Sequence, residues 1–131
     1  MTTTGSDRDY AAALDEAERL LGFRLERFLG TKPTEPPNAD EFMRIAVIQS
    51  FGDAWPRSEH LAVATRALVS VTIAATLGTL EPLRGQLRIA LNNGVSKEEI
   101  VEAFIQIAAY AGVARAFEGY AIAAEVFAEH A

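Results

Sequence analysis

One arginine, Arg66, is the single charge between Leu61 and Leu77. Its segment TRALVSVTIAATLG, residues 65–78, reads as a helix with no wet face. A guanidinium in such a setting is costly unless something negative meets it. Two partners suit it: an internal acid, with Glu102 the best placed, or a ligand carboxylate held through two parallel hydrogen bonds. A second group lies in KEEIVEAFIQIAAYA, where Glu99, Glu102, Gln106 and Tyr110 recur at spacings of three, four and four. On a helix they make one polar stripe, with Ile100, Val101, Phe104, Ile105 and Ile107 to either side. A narrow stripe of that kind suits the lining of a small cavity. The plainer alternative makes Glu99 and Glu102 first-turn acids at a helix start, with Tyr110 as half-buried packing. The third group is AWPRSEH. Arg57 there fits the rim of a pocket or a solvated turn, Trp55 a packing anchor or a substrate platform, and His60 a titratable group near a helix start or an exposed one.

Carboxylates, arginines, amides, a tyrosine and His60 are a set for proton transfer, or for handling a small carboxylated substrate without a cofactor. No phosphate-cradling glycine loop, nucleophile elbow or metal signature accompanies them. The sequence has no cysteine, which excludes disulfides, thiol redox chemistry and thiolate-bound metals. Its two histidines, His60 and His130, lie far apart, so no metal site is expected. A formal net charge of −6 without a basic run argues against nucleic acid as a partner. The apolar run 61–77 is short for a membrane span and carries Arg, Ser and Thr. The opening MTTTGSDRDY lacks the pattern of a signal peptide. A soluble cytoplasmic protein is the expectation.

Six helices must position these groups. Ser6 and Asp9 look like a capping box opening a helix that ends at Gly22 or Gly30, and TKPTEPPN, 31–38, is a proline-rich linker. Asn38 with Glu41 caps EFMRIAVIQSF, which Gly52 stops; Met43 there is core filler. Ser58 caps the long apolar helix, which Gly78 closes. Thr79 caps LEPLRGQLRIALNN, with Pro82 tolerated in its first turn and Gly94 as the stop. Ser96 and Glu99 form a further capping box, and Gly112 separates the last two helices. Alternation of the strand kind is missing. The expected fold is all-α, one domain over 1–131. Half of the residues are hydrophobic, a surplus that a small core cannot hide, so a homo-oligomer is expected.

FGDAWPR, TRALVSVTIAATLG and LRGQLRIALNNGVSKEEIVEAFIQIAAYAGVARAFEGY together resemble the carboxymuconolactone decarboxylase family, most closely over 51–128. The resemblance implies the six-helix fold shared with the alkylhydroperoxidase D group, assembled as trimers or hexamers. That family's thiol branch works through a C-x-x-C motif; here Thr79 and Pro82 stand in the corresponding stretch, so thiol peroxidase activity is not expected. The decarboxylase branch, implied instead, is cofactor-free and serves aromatic catabolism. It removes carbon dioxide from a carboxylated γ-lactone: the bond to the carboxylate carbon breaks, its electron pair delocalises into a dienolate, and a proton is delivered to carbon. Such a site holds carboxylates and stabilises an oxyanion.

One position departs from the family. Gln86 stands where its decarboxylases usually have histidine, and an amide donates hydrogen bonds but supplies no proton near neutral pH. The implied roles are Arg66 and Arg57 on carboxylates, Gln86 and Gln106 on the oxyanion, and Glu102 as proton carrier, with His60 and Tyr110 as further proton sources. The alternatives are an isomerase, cyclase or hydrolase of a specialised pathway, and a ligand-binding oligomer without catalysis.

Overall fold

The computed structural model describes residues 4–130, with side chains from Asp9 onward. Its contacts divide the chain into two compact units, Met1–His60 and Leu61–Ala131.

The first unit opens with helix α1, Thr4–Leu21, which starts two residues before the expected Ser6 cap. Ala13, Leu14, Ala17, Leu20 and Leu21 are its buried face, at the spacing of one helical stripe. Gly22 takes φ 89°, and its N–H closes the helix on Glu18 O at 2.8 Å. After a 3₁₀ turn, Leu25–Phe28, and the proline-rich linker comes α2, Ala39–Val47. Asn38 precedes α2 but forms no side-chain cap. Gly52 does not stop the chain's coiling. The backbone widens into a π-helical segment, Ile48–Ala54, closed by Trp55 N–H on Ser50 O at 3.1 Å. Ala13, Leu14 and Val47 form the unit's core, with Tyr10, Leu25, Leu29, Ile48 and Phe51 packed around them.

The second unit holds α3, Val63–Leu77; α4, Leu80–Asn92; α5, Lys97–Ala111; and α6, Val113–Glu129. Gly78 in the left-handed region ends α3, and Thr79 N–H reaches back to Ala74 O at 3.0 Å, a Schellman-type closure. The Thr79 hydroxyl is spent on the same carbonyl, at 3.2 Å, so it does not cap α4. The Ser96–Glu99 capping box forms as expected, with both of its hydrogen bonds in place.

All four helices meet at Gly119. A Cβ there would stand 2.7 Å from Phe104 Cε1, 3.2 Å from Ala75 Cβ and 3.3 Å from Leu83 Cδ2, so α6 approaches α3, α4 and α5 closely because this residue has no side chain. Around that point lie Val71, Leu83, Leu87, Ile89, Ile100 and Val126, all but sealed from solvent. Arg84 pairs with Glu125 at 3.0 Å and Arg88 with Glu129 at 3.1 Å, lacing α4 to α6 at matching helical intervals. Lys97 Nζ donates to Phe127 O and His130 O, satisfying carbonyls at the end of α6. The expected all-α architecture with six α-helices is what the described residues form.

Candidate functional site

Helix α3 begins later than its sequence suggests. Ser58 lies in the preceding turn, the N-cap position falls to Ala62, and no side chain caps the helix. The first N–H groups of any helix lack carbonyl partners inside it, and the macrodipole makes that end positive. Acids are the usual residents there, yet the first turn of α3 has none. Instead Arg66 closes the opening turn, its own N–H bonding Ala62 O at 2.9 Å. The residue is half-buried and its Nε is buried. Arg66 thus sits just inside an uncapped helix start, and it is not without a partner of its own. The sequence conceals this feature because Ser58 looks like the natural cap. The signal that reveals it is negative: neither Ala62 nor Leu61 can cap the helix that starts at Val63.

The internal partner expected for Arg66 is not Glu102. Glu102 is solvent-exposed and, among the described residues, joins no ion pair. Gln106 and Tyr110 continue its stripe along the outer face of α5, with Tyr110 87% exposed. The helical spacing therefore does make a stripe, but on the open face of α5 rather than along an enclosed cavity. Glu99 has the plainer role, closing its capping box. Ile105, on the same side, is exposed as well. Gln86, on α4, is half-buried, and its Oε1 is sealed from solvent with no hydrogen-bond donor among the described residues.

Arg57 and His60 belong to the first unit. Both are exposed, and with Pro56 and Glu59 they line one depression of about 310 Å³. The residues just ahead of it form the π-helical segment, an irregularity frequent at functional sites. Trp55 is 4% exposed, so its indole packs as an anchor and offers no open platform. Among the described residues no cluster of His, Asp and Glu converges as a metal site, and no helix is long and apolar enough to cross a membrane.

The densest ionic cluster is structural and lies at the end of α1. Arg24 bonds Asp15 and Glu18, each at 2.9 Å, and also Glu26. Those three carboxylates hold the guanidinium firmly in its charged form, with Glu26 the largest influence. The same bond draws the Glu26 carboxyl below its ordinary value.

The second unit is a purely helical arrangement in which α3 and α6 both begin without a side-chain cap or a first-turn acid, with Arg66 and Arg115 near those starts, and the chain has no cysteine. The profile of the carboxymuconolactone decarboxylase family matches residues 40–125, well over half of the chain, and the protein belongs to that family. Over 78 residues it is 36% identical to a 4-carboxymuconolactone decarboxylase of Acinetobacter baylyi. That match covers 60% of this chain and 58% of the relative, so the chain spans little more than half of the relative's length.

Proposed function

We propose that the protein is a cofactor-free lyase that decarboxylates a small carboxylated lactone or ketoacid. The observation that carries this reading is the family match over residues 40–125, on a helical unit in which Arg66 lies near the start of α3 and Gln86 has a buried amide oxygen. Family membership and the name of the relative from Acinetobacter baylyi supply the reaction type.

In this reading Arg66 grips a carboxylate and Gln86, through its N–H₂ end, donates to the oxyanion that develops as carbon dioxide leaves. Gln106 adds a second amide donor. Glu102 carries the proton to carbon, a role its exposed position allows by exchange with solvent. Tyr110 is a further contact from the same helix face. Arg57 and His60 line a separate depression of the first unit, beside the buried Trp55, and take no part in this site.

A homo-oligomer accompanies this reading. Val69, Ile73 and Leu77 form an exposed apolar stripe on α3, and Val113, Phe117 and Tyr120 another on α6. Leu77 is 65% and Phe117 72% exposed, more apolar display than a monomer normally tolerates.

One observation favours a second reading, in which the same residues serve an isomerase, cyclase or hydrolase. Gln86 cannot act as an acid, and its carbonyl end is the buried one. Incubation with 4-carboxymuconolactone, following substrate loss and carbon dioxide release, separates the two. Decarboxylation that falls about 100-fold in kcat/KM in Arg66→Met, and strongly in Glu102→Gln, supports the lyase. Absence of turnover refutes it and leaves the second reading.

A further inference from the structure

The first unit holds a depression of about 330 Å³, lined by Tyr10, Leu29, Asp40, Met43 and Arg44. Three separate stretches of chain wall it: Tyr10 comes from α1, Leu29 from the end of the 3₁₀ turn, and the other residues from α2. Its volume falls in the range of small-molecule pockets. Tyr10 and Leu29 pack on the unit's core. Both are half-buried, and so is Met43, which the sequence suggests as core filler. The Leu29 wall is held in place, because Arg24, just ahead of the 3₁₀ turn, is paired with Asp15 and Glu18 of α1.

The charged groups of this depression differ in what they offer. Arg44 is half-buried and has a partner of its own, so no anion site is read from it. Asp40 is exposed, and among the described residues its carboxylate forms no ion pair or hydrogen bond. An acid in the first turn of a helix is ordinary, and α2 has two, Asp40 and Glu41. Of these, Asp40 borders the recess formed by Tyr10, Leu29 and Met43, whereas Glu41 lines a different depression. The helix dipole accounts for an acid at this turn; it does not account for the apolar recess beside it.

We propose that this depression binds an organic ammonium ion with a compact apolar body, an arylalkylamine in kind. Asp40 pairs with the ammonium, and Tyr10, Leu29 and Met43 take the apolar part. An ionised carboxylate only accepts hydrogen bonds and an ammonium only donates them, so the group this acid calls for is a cation. A mostly apolar recess with a small number of polar groups is the usual make-up of a small-molecule site, and the flexible methionine fits itself to irregular ligands. A carboxylated ligand is repelled here. The site therefore has the opposite charge preference to the lyase reading and does not depend on it.

The test is an NMR titration of the intact chain with 2-phenylethylamine and 3-phenylpropionate, which share a phenylethyl body and carry opposite charges. Saturable shifts are expected at the Leu29 and Met43 methyl groups with the amine. The amine is expected to bind about fivefold or more tighter than the acid, since one exposed ion pair is worth up to about fivefold and a like-charge contact costs a similar factor. Asp40→Asn is expected to abolish the preference. Glu41→Gln removes the same charge one residue away and is expected to keep the preference within about twofold. Asp40→Ser repeats the test should the asparagine variant fold poorly. Equal binding of the two probes overturns the proposal, as does a preference that survives in both Asp40 variants. Loss of the preference in Glu41→Gln overturns it too, because the amine would then be drawn by the general acidity of the surface. Binding that leaves the Leu29 and Met43 signals unmoved, or no saturable binding of either probe, overturns it outright.

Discussion

Replacing Gly119 by alanine adds one methyl group at the point where α3, α4, α5 and α6 converge. Two effects oppose each other. Alanine in a helix interior is favoured over glycine by about 1 kcal/mol. Against that, the new Cβ would stand 2.7 Å from Phe104 Cε1, with Ala75 Cβ at 3.2 Å and Leu83 Cδ2 at 3.3 Å. The Phe104 ring cannot simply swing away, since it rests edge-on against Tyr120 with centroids 5.8 Å apart. Overpacking of a well-filled core costs about 1–3 kcal/mol, so a net loss of up to about 2 kcal/mol is expected. For a chain of this size that lowers the melting temperature by up to about 6 °C. Thermal unfolding by circular dichroism reads it directly. Repeating the change in a Phe104→Leu background removes the obstructing ring edge, and there Gly119→Ala is expected to be neutral or stabilising. A rise in melting temperature for the single variant would refute this packing. So would an equal loss in both backgrounds, because the cost would then not come from the ring.

Gly78→Ala and Gly94→Ala separate strain from crowding. Both residues have positive φ, but only at Gly78 would the new Cβ meet a neighbour, the Arg115 guanidinium. Each is expected to cost about 1 kcal/mol or more in urea denaturation, with Gly78→Ala the larger loss. Ser96→Ala breaks the α5 capping box and is expected to cost about 1 kcal/mol, seen as a lower urea midpoint. Glu26 has a folded-state value drawn below the ordinary one by Arg24. Its contribution is therefore present above the unfolded carboxyl's pKa and is lost as pH falls through the folded one. The stability gap between the parent protein and Arg24→Ala should accordingly narrow between pH 5.5 and pH 3. A gap that widens toward acid would contradict that linkage.

The second unit was largely legible because its punctuation is local. Gly78, Gly94 and Gly112 all take positive φ where the helices stop, and Ser96 and Glu99 close their box through neighbours three residues apart. Where the signals are less local, they mislead. Ser58, Asn38 and Thr79 all look like caps; the chain turns before Ser58 can act, Asn38 forms no cap bond, and Thr79 bonds backward instead of forward. The π-helical widening after Val47 leaves no mark on an apolar repeat that fits 3.6 residues per turn almost as well. The site divides in the same way. The stripe of Glu102, Gln106 and Tyr110 follows from helical spacing alone, but which way α5 turns it is decided by Ile100, Phe104 and Ile107 packing inward. An Arg66–Glu102 pair needs that orientation reversed, and so it does not form. The buried end of the Gln86 amide was beyond reach for a similar reason: side-chain burial at one atom is a property of the packed helices.

The most direct measurement for the central claim is a carboxylate titration of ¹⁵N-labelled protein followed by NMR, with succinate as the probe. Saturable shifts are expected first at the Val63, Ala64 and Thr65 amides and at Arg66 Nε–H, and they should vanish in Arg66→Met. Succinate that leaves those signals in place, and moves only exposed side chains or none, would contradict an anion site at the start of α3.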